Sequence, residues 1–217
     1  DELPILVLGL GAMGAACVHA LAQRAYHVTA WTRHDTPREL PEGVVHVHGK
    51  AALFACLGAS SIVINLLPLT PDQPRLIDAQ FFAAMPRGAA LINLGRGAHV
   101  VDADLRAALG TGRLGHAVLD VFEREPLDPK HPFWRHPRVT VLPHIAALTD
   151  PLALASEIRK SGGRPTAAQI AREANRRVGE ALRPLFEGAE AEGIPDENWY
   201  WAAGLLLDAS NGWLHRS

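Results

Sequence analysis

The sequence predicts an α/β fold built on a doubly wound parallel sheet, with a helical C-terminal appendage. Three observations lead there. Short apolar runs recur at residues 5–8, 28–31, 44–47, 62–66, 89–94, 117–121 and 139–142, with helical patterns between them. Several of these runs lack in-out alternation, as strands covered on both faces do. The turn Gly9-Leu10-Gly11-Ala12-Met13-Gly14 stands between the first run and the first helical pattern, which is the strand-turn-helix setting of a nucleotide-binding Rossmann-like fold. Runs that alternate with helices imply parallel pairing through right-handed crossovers.

In chain order, the first strand begins almost at once, and the reading is that an element is missing in front of it. The first helix gathers Met13, Cys17, Val18 and Leu21 on one face. The second strand ends in Trp31-Thr32-Arg33-His34. On the third, His46 and His48 stand two apart and share a side; they are expected to face solvent, since no third ligand has metal-site spacing. Pro68, Pro71 and Pro74 mark a loop after the fourth run. The fifth leads into Leu94-Gly95-Arg96-Gly97, and Val101-Asp102-Ala103-Asp104-Leu105 opens a helix that stops near Gly110 and Gly112. Asp120-Val121-Phe122-Glu123-Arg124-Glu125-Pro126 follows the sixth run, and Pro143-His144-Ile145-Ala146 the seventh. His131 and His136 belong to a proline-bounded loop with no metal expected.

Past residue 150 the texture changes. Ser161-Gly162-Gly163-Arg164-Pro165 reads as a linker, and Thr166-Ala167-Ala168-Gln169 as a capping box opening a helix to about residue 186. A further helix is expected near 195–211, carrying Trp199, Tyr200 and Trp201. The division is therefore a nucleotide-binding domain over 1–150 and a helical tail over 151–217.

A chain of 217 residues, 48% apolar and 20% charged with net charge −2, has no general attraction to nucleic acid or anionic membranes. Its expected partner is a small molecule. Cys17 and Cys56 are its only cysteines, which fits two apolar side chains in a reducing compartment better than a disulfide. The chain shows no basic leader and no run of the ~18 apolar residues a span needs; the expected location is cytoplasmic.

The fingerprint assigns roles residue by residue. Gly9 makes the tight turn, Gly11 admits a pyrophosphate to the backbone, and Gly14 lets the helix pack on the strand. Ala12 and Met13 offer unpaired N–H groups to the phosphates. At the end of the second strand, where an NAD site carries a carboxylate, Thr32 and Arg33 stand instead. A guanidinium suits a 2′-phosphate, so NADPH is expected to be preferred, with NADH admitted and Asp35 still able to serve a ribose. Downstream, Arg96, Glu125 and His144 are the equipment for reducing a 2-keto acid. An arginine fork grips a carboxylate, a histidine supplies the proton an alkoxide needs, and a neighbouring glutamate raises that histidine's pKa.

In the order of these motifs the chain resembles the D-isomer-specific 2-hydroxyacid dehydrogenases, in particular those of the glyoxylate/hydroxypyruvate reductase A type, over roughly residues 4–150. Ile64-Asn65-Leu66-Leu67-Pro68-Leu69-Thr70-Pro71 is similar to the family's adenosine-side loop, which implies cofactor contacts at Leu67 and Pro68. Leu91-Ile92-Asn93-Leu94-Gly95-Arg96-Gly97 resembles the segment holding the substrate arginine, with Leu94 and Gly95 beside the cofactor. Asp120 matches the residue that meets the nicotinamide carboxamide, and Glu125 and His144 match the catalytic pair. The resemblance implies a small 2-keto or 2-hydroxy acid as substrate and a homodimer. Family members place a substrate domain ahead of this one, and none is read here. The competing expectation is thus a catalytically incomplete nucleotide-binding module.

Overall fold

The computed structural model describes residues 3–35, 39–70, 75–142 and 144. Seven strands form one sheet: β1 (Ile5–Leu8), β2 (Val28–Thr32), β3 (Val45–His48), β4 (Ile62–Asn65), β5 (Ala89–Asn93), β6 (Leu114–Leu119) and β7 (Val139–Val141). Their order is β3-β2-β1-β4-β5-β6-β7, and every neighbouring pair is parallel. The order reverses between β1 and β4. In sheets of this kind the crevice beyond the carboxyl ends of the strands at that switch point receives ligands.

Four helices make crossovers: α1 (Ala12–Gln23), α2 (Gly49–Leu57), α3 (Ala79–Ala84) and α4 (Asp102–Gly110). Each buries one stripe. In α1 it is Gly14, Cys17, Val18 and Leu21, with Met13 only half-buried; in α4 it is Leu105, Ala108 and Leu109. Asp78 caps α3, its carboxylate accepting from the N–H groups of Gln80 and Phe81, both at 3.0 Å. The central strands β1, β4 and β5 are buried at every position, as their unbroken apolar runs require. Leu6, Leu8, Val63 and Leu91 join Trp31, Leu53, Phe81 and Phe133 in the main core.

The alternation of strand and helix is incomplete. Between β6 and β7 the chain forms only a short 3₁₀ turn, Pro132–Arg135, because Pro126, Pro129, Pro132 and Pro137 each remove a donor that a helix would need. β6 also starts three residues before the apolar run, at Leu114. Gly115 makes that possible: a Cβ there would overlap the Gly88 carbonyl, so a larger residue would hold β6 away from the start of β5.

Contacts divide the chain into two units, Asp1–Pro143 and His144–Ser217. The sheet lies in the first. The linker and helices expected over 151–217 fall outside the described residues.

Candidate active site

The turn after β1 is built as its glycines require. Gly9 has φ +97°, a conformation that side chains resist, and a Cβ there would press on the Leu66 carbonyl at 3.1 Å. A Cβ on Gly14 would overlap the Gly9 carbonyl, so this glycine sets the approach of α1 to β1. Gly11 differs: nothing lies within 4 Å of its Cβ position. It is exposed, as is Ala12. As N-cap of α1, Gly11 provides no side-chain acceptor, and no acidic residue stands in the first turn. The first amides of α1, those of Ala12 and Met13, thus meet an open approach with no cap from the protein's own side chains. That arrangement fits a dinucleotide's pyrophosphate.

At the end of β2, the Thr32 hydroxyl donates to the His34 carbonyl at 2.8 Å and accepts from His46 Nε2 at 2.7 Å. The shared proton fixes the donor: the hydroxyl gives its own hydrogen to His34, so the imidazole must give the other. His46 is half-buried and buttresses this turn instead of facing solvent, because parallel register sets it beside Ala30 on β2. His48 is exposed and lies 3.9 Å from the Asp35 carboxylate. Arg33 reaches across the strand ends, its Nη2 donating to Thr70 Oγ1 at 2.6 Å. A guanidinium, and no carboxylate, therefore directly follows Thr32 at the rim.

After β4, Leu67 is buried and Pro68 exposed. After β5, Leu94 and Gly95 are buried, and Gly95 packs so that a Cβ would come within 2.8 Å of the Leu67 carbonyl. Arg96 is exposed, with Nη1 donating to the Gly95 carbonyl at 2.6 Å. Gly97 presses on the next loop: its Cβ position is filled by backbone of Phe122 and Glu123. The arginine and glutamate loops are thus in direct backbone contact. Glu125 Oε1 accepts from the Phe122 N–H at 2.9 Å, folding the carboxylate onto its own exposed loop. Asp120, directly after β6, is fully buried, its N–H donating to the Asn93 carbonyl at 3.0 Å. His144 opens the second unit as an exposed residue with φ +55°.

Three further residues of this region are assigned no role from the sequence. Asn65, Asn93 and His99 are fully buried, with the Asn65 amide hydrogen-bonded to both of the others. The signal in the sequence is an asparagine interrupting each of two apolar runs one residue before its end; the register Asn65↔Asn93 gives it meaning. Among the described residues no group of three His, Cys, Asp or Glu could hold a metal. None of their helices is long and apolar enough to cross a membrane.

The comparisons agree with this geometry. Residues 2–146 match the family model of the D-isomer specific 2-hydroxyacid dehydrogenase NAD binding domain. A glyoxylate/hydroxypyruvate reductase A of Serratia proteamaculans is 44% identical over 158 residues, which is 73% of this chain and 50% of that protein. One from Yersinia enterocolitica is 42% identical over 151 residues, 70% of this chain and 47% of that protein. The chain therefore spans about half the length of the curated relatives it matches. Among solved structures, a D-isomer specific 2-hydroxyacid dehydrogenase of Xanthobacter autotrophicus in complex with NADPH and MES aligns with TM-score 0.63 and 40% identity, over 76% of this chain and 69% of that one. An NADPH-dependent glyoxylate/hydroxypyruvate reductase of Sinorhizobium meliloti in apo form aligns with TM-score 0.63 and 39% identity, over 70% and 78%. With glycine turn, switch point and motif order all in register, the chain belongs to the D-isomer specific 2-hydroxyacid dehydrogenase family, whose NAD binding domain it carries in residues 2–146.

Proposed function

We propose that the chain is the cofactor-binding part of an NADPH-preferring reductase of small 2-keto acids, of the glyoxylate or hydroxypyruvate class. The observation that carries this reading is the convergence of its residues: the glycine turn, Arg33, Leu67-Pro68, Arg96 and Asp120-Glu125 all follow the carboxyl ends of strands of one parallel sheet. The relatives named as glyoxylate/hydroxypyruvate reductases and the structures containing NADPH or NADP support it.

Gly9, Gly11, Ala12, Met13 and Gly14 bind the pyrophosphate through backbone N–H groups. Arg33, held by Thr70, binds the 2′-phosphate in a way a ribose hydroxyl cannot match. Leu67 and Pro68 lie against the adenosine side, Leu94 and Gly95 stand beside the cofactor, and Asp120 meets the nicotinamide carboxamide. Bound NADPH would supply the hydride. Arg96 holds the keto-acid carboxylate in a two-pronged grip and polarises the carbonyl, His144 gives the proton to the carbonyl oxygen, and Glu125 is the carboxylate paired with that histidine. In the reverse direction His144 takes the proton back. The two free thiols, Cys17 and Cys56, support a cytoplasmic setting, and the family resemblance supports a homodimer, which the mass in solution tests directly.

A second reading is favoured by the matched span, which is that of an NAD binding domain: the chain binds nucleotide without turning over. One titration with NADPH and NADH, followed by glyoxylate and hydroxypyruvate, separates the two. Oxidation of the cofactor supports the reductase, binding without oxidation supports the module, and absence of binding overturns both. Arg33→Asp is expected to weaken NADPH by about tenfold or more, or roughly 1.4 kcal/mol, and NADH much less. Equal losses would remove Arg33 from the 2′-phosphate.

A further inference from the structure

The buried group of Asn65, Asn93 and His99 has no role in the reaction just described, yet its protons can be assigned. The Leu67 N–H donates to Asn65 Oδ1 at 3.2 Å, which identifies Nδ2 as the donor end of that amide. Nδ2 gives one hydrogen to Asn93 Oδ1 at 2.8 Å and the other to His99 Nδ1 at 3.1 Å. Since Nδ1 accepts, the neutral imidazole carries its proton on Nε2. Burial first, and then the nearby Arg96 guanidinium, hold the ring's pKa below the usual histidine value against a smaller upward pull from the Pro68 carbonyl.

The Nε2–H is sealed from solvent and makes no hydrogen bond. A buried donor without an acceptor is costly to keep. The Pro68 backbone raises the ring's pKa as a hydrogen-bond acceptor does, yet no bond to Nε2 reaches the geometry of a completed one. Pro68 itself is exposed, in the segment assigned above to the cofactor. Asn93 Oδ1 accepts from Gly95 N–H and Asn93 Nδ2 donates to the Arg96 carbonyl, both at 3.3 Å, while His99 N–H donates to the same carbonyl at 3.2 Å. Two loops with different ligands therefore meet on one side-chain cluster.

We propose that His99 is a positioning residue that registers the cofactor loop against the substrate-arginine loop: its Nε2–H is held ready for the Pro68 carbonyl, and nucleotide binding on the 67–68 segment closes that bond. The proposal rests on the cofactor reading above and deepens it, because it gives nucleotide binding a route to Arg96.

The test uses the full 217-residue chain, NADPH titrations and ¹⁵N-histidine spectra, with His99→Gln and His99→Asn compared under conditions where near-ultraviolet circular dichroism shows both folded. A glutamine amide reaches the position of Nε2 and restores a donor to Pro68; an asparagine amide ends at the position of Nδ1 and cannot. The wild-type chain is expected to show the Nε2–H tautomer, with that proton moving downfield on saturation with NADPH. His99→Gln should bind NADPH within about threefold of wild type, and His99→Asn about tenfold more weakly. An Nδ1–H tautomer, or equal affinities for the two variants, would overturn the inference while leaving the cofactor reading intact. Failure of the wild-type chain to bind NADPH overturns the cofactor reading and the inference together.

Discussion

Gly11 and Gly14 stand three residues apart in the same turn and constrain the molecule differently. The Cβ position of Gly14 is occupied by the Gly9 carbonyl, which is backbone and cannot swing aside. Gly14→Ala must push α1 off β1, with an expected loss of about 1–3 kcal/mol in urea unfolding together with nucleotide affinity. Gly11 already has φ −63° and ψ −174°, which alanine adopts without strain, and its Cβ side is open. Gly11→Ala should leave the unfolding midpoint unchanged and weaken NADPH by about tenfold or more, because the methyl stands where a phosphate approaches. Normal NADPH affinity in that variant would refute the assignment of Gly11 to the pyrophosphate. Both glycines are legible in the sequence as a spacing. Their separation into a folding role and a binding role is not, since it depends on which side of each Cα the neighbouring backbone lies. The same holds for His46, whose support of Thr32 needs the β2–β3 register, and for Asn65 and Asn93, which look like interruptions of apolar runs until β4 and β5 are paired residue by residue.

The central strands β1, β4 and β5 announce themselves in the sequence because burial on both faces leaves nearly unbroken apolar runs, whereas the partly exposed edge strand β3 is an alternation of valine and histidine. Their connections are less legible, for helix ends are completed by groups from elsewhere in the chain. Arg138, just ahead of β7, donates to the Leu109 carbonyl at 3.1 Å, in the last turn of α4. Arg87 donates to the Thr111 carbonyl at 2.7 Å, and Arg113 to that of Met85, the C-cap of α3, at 3.3 Å. Neither α3 nor α4 has a basic residue in its own last turn. The arginines therefore satisfy carbonyls and offset the negative helix end from outside the helix, which no local pattern would reveal. Arg138 is half-buried, so its loss cannot be made good fully by water. Arg138→Met, which keeps the aliphatic stem, is expected to cost about 1 kcal/mol of stability, with raised amide exchange confined to the end of α4. An unfolding midpoint equal to wild type would show that the bond contributes nothing net.

Across the molecule the residues assigned to chemistry follow the carboxyl ends of strands, while the body of the sheet sets stability, so pH should act on the two separately. His116, third of the six residues of β6, is half-buried with Nε2 3.0 Å from Thr140 Oγ1 on β7. Burial, and then repulsion from His136, push its pKa from the ordinary 6.5 down to about 4. Between those values the unfolded chain binds a proton at this site that the folded chain does not. By linkage, stability then rises with pH through that window: the contribution is complete above about pH 6.5 and is lost as pH falls toward 4. The shift corresponds to roughly 2–3 kcal/mol at the acid end of the window. His116→Gln keeps a group able to bond Thr140 but removes the titration. Its unfolding free energy should change less between pH 7 and pH 4.5 than that of the wild-type chain, and the difference should be global, since β6 is paired on both sides within the sheet and His116 lies ahead of the strand's carboxyl end. Parallel pH curves for the two proteins would remove His116 as the origin of the acid sensitivity. A variant that flattens the stability curve while leaving the pH dependence of NADPH affinity as it was would separate the acid response of the sheet from that of the site.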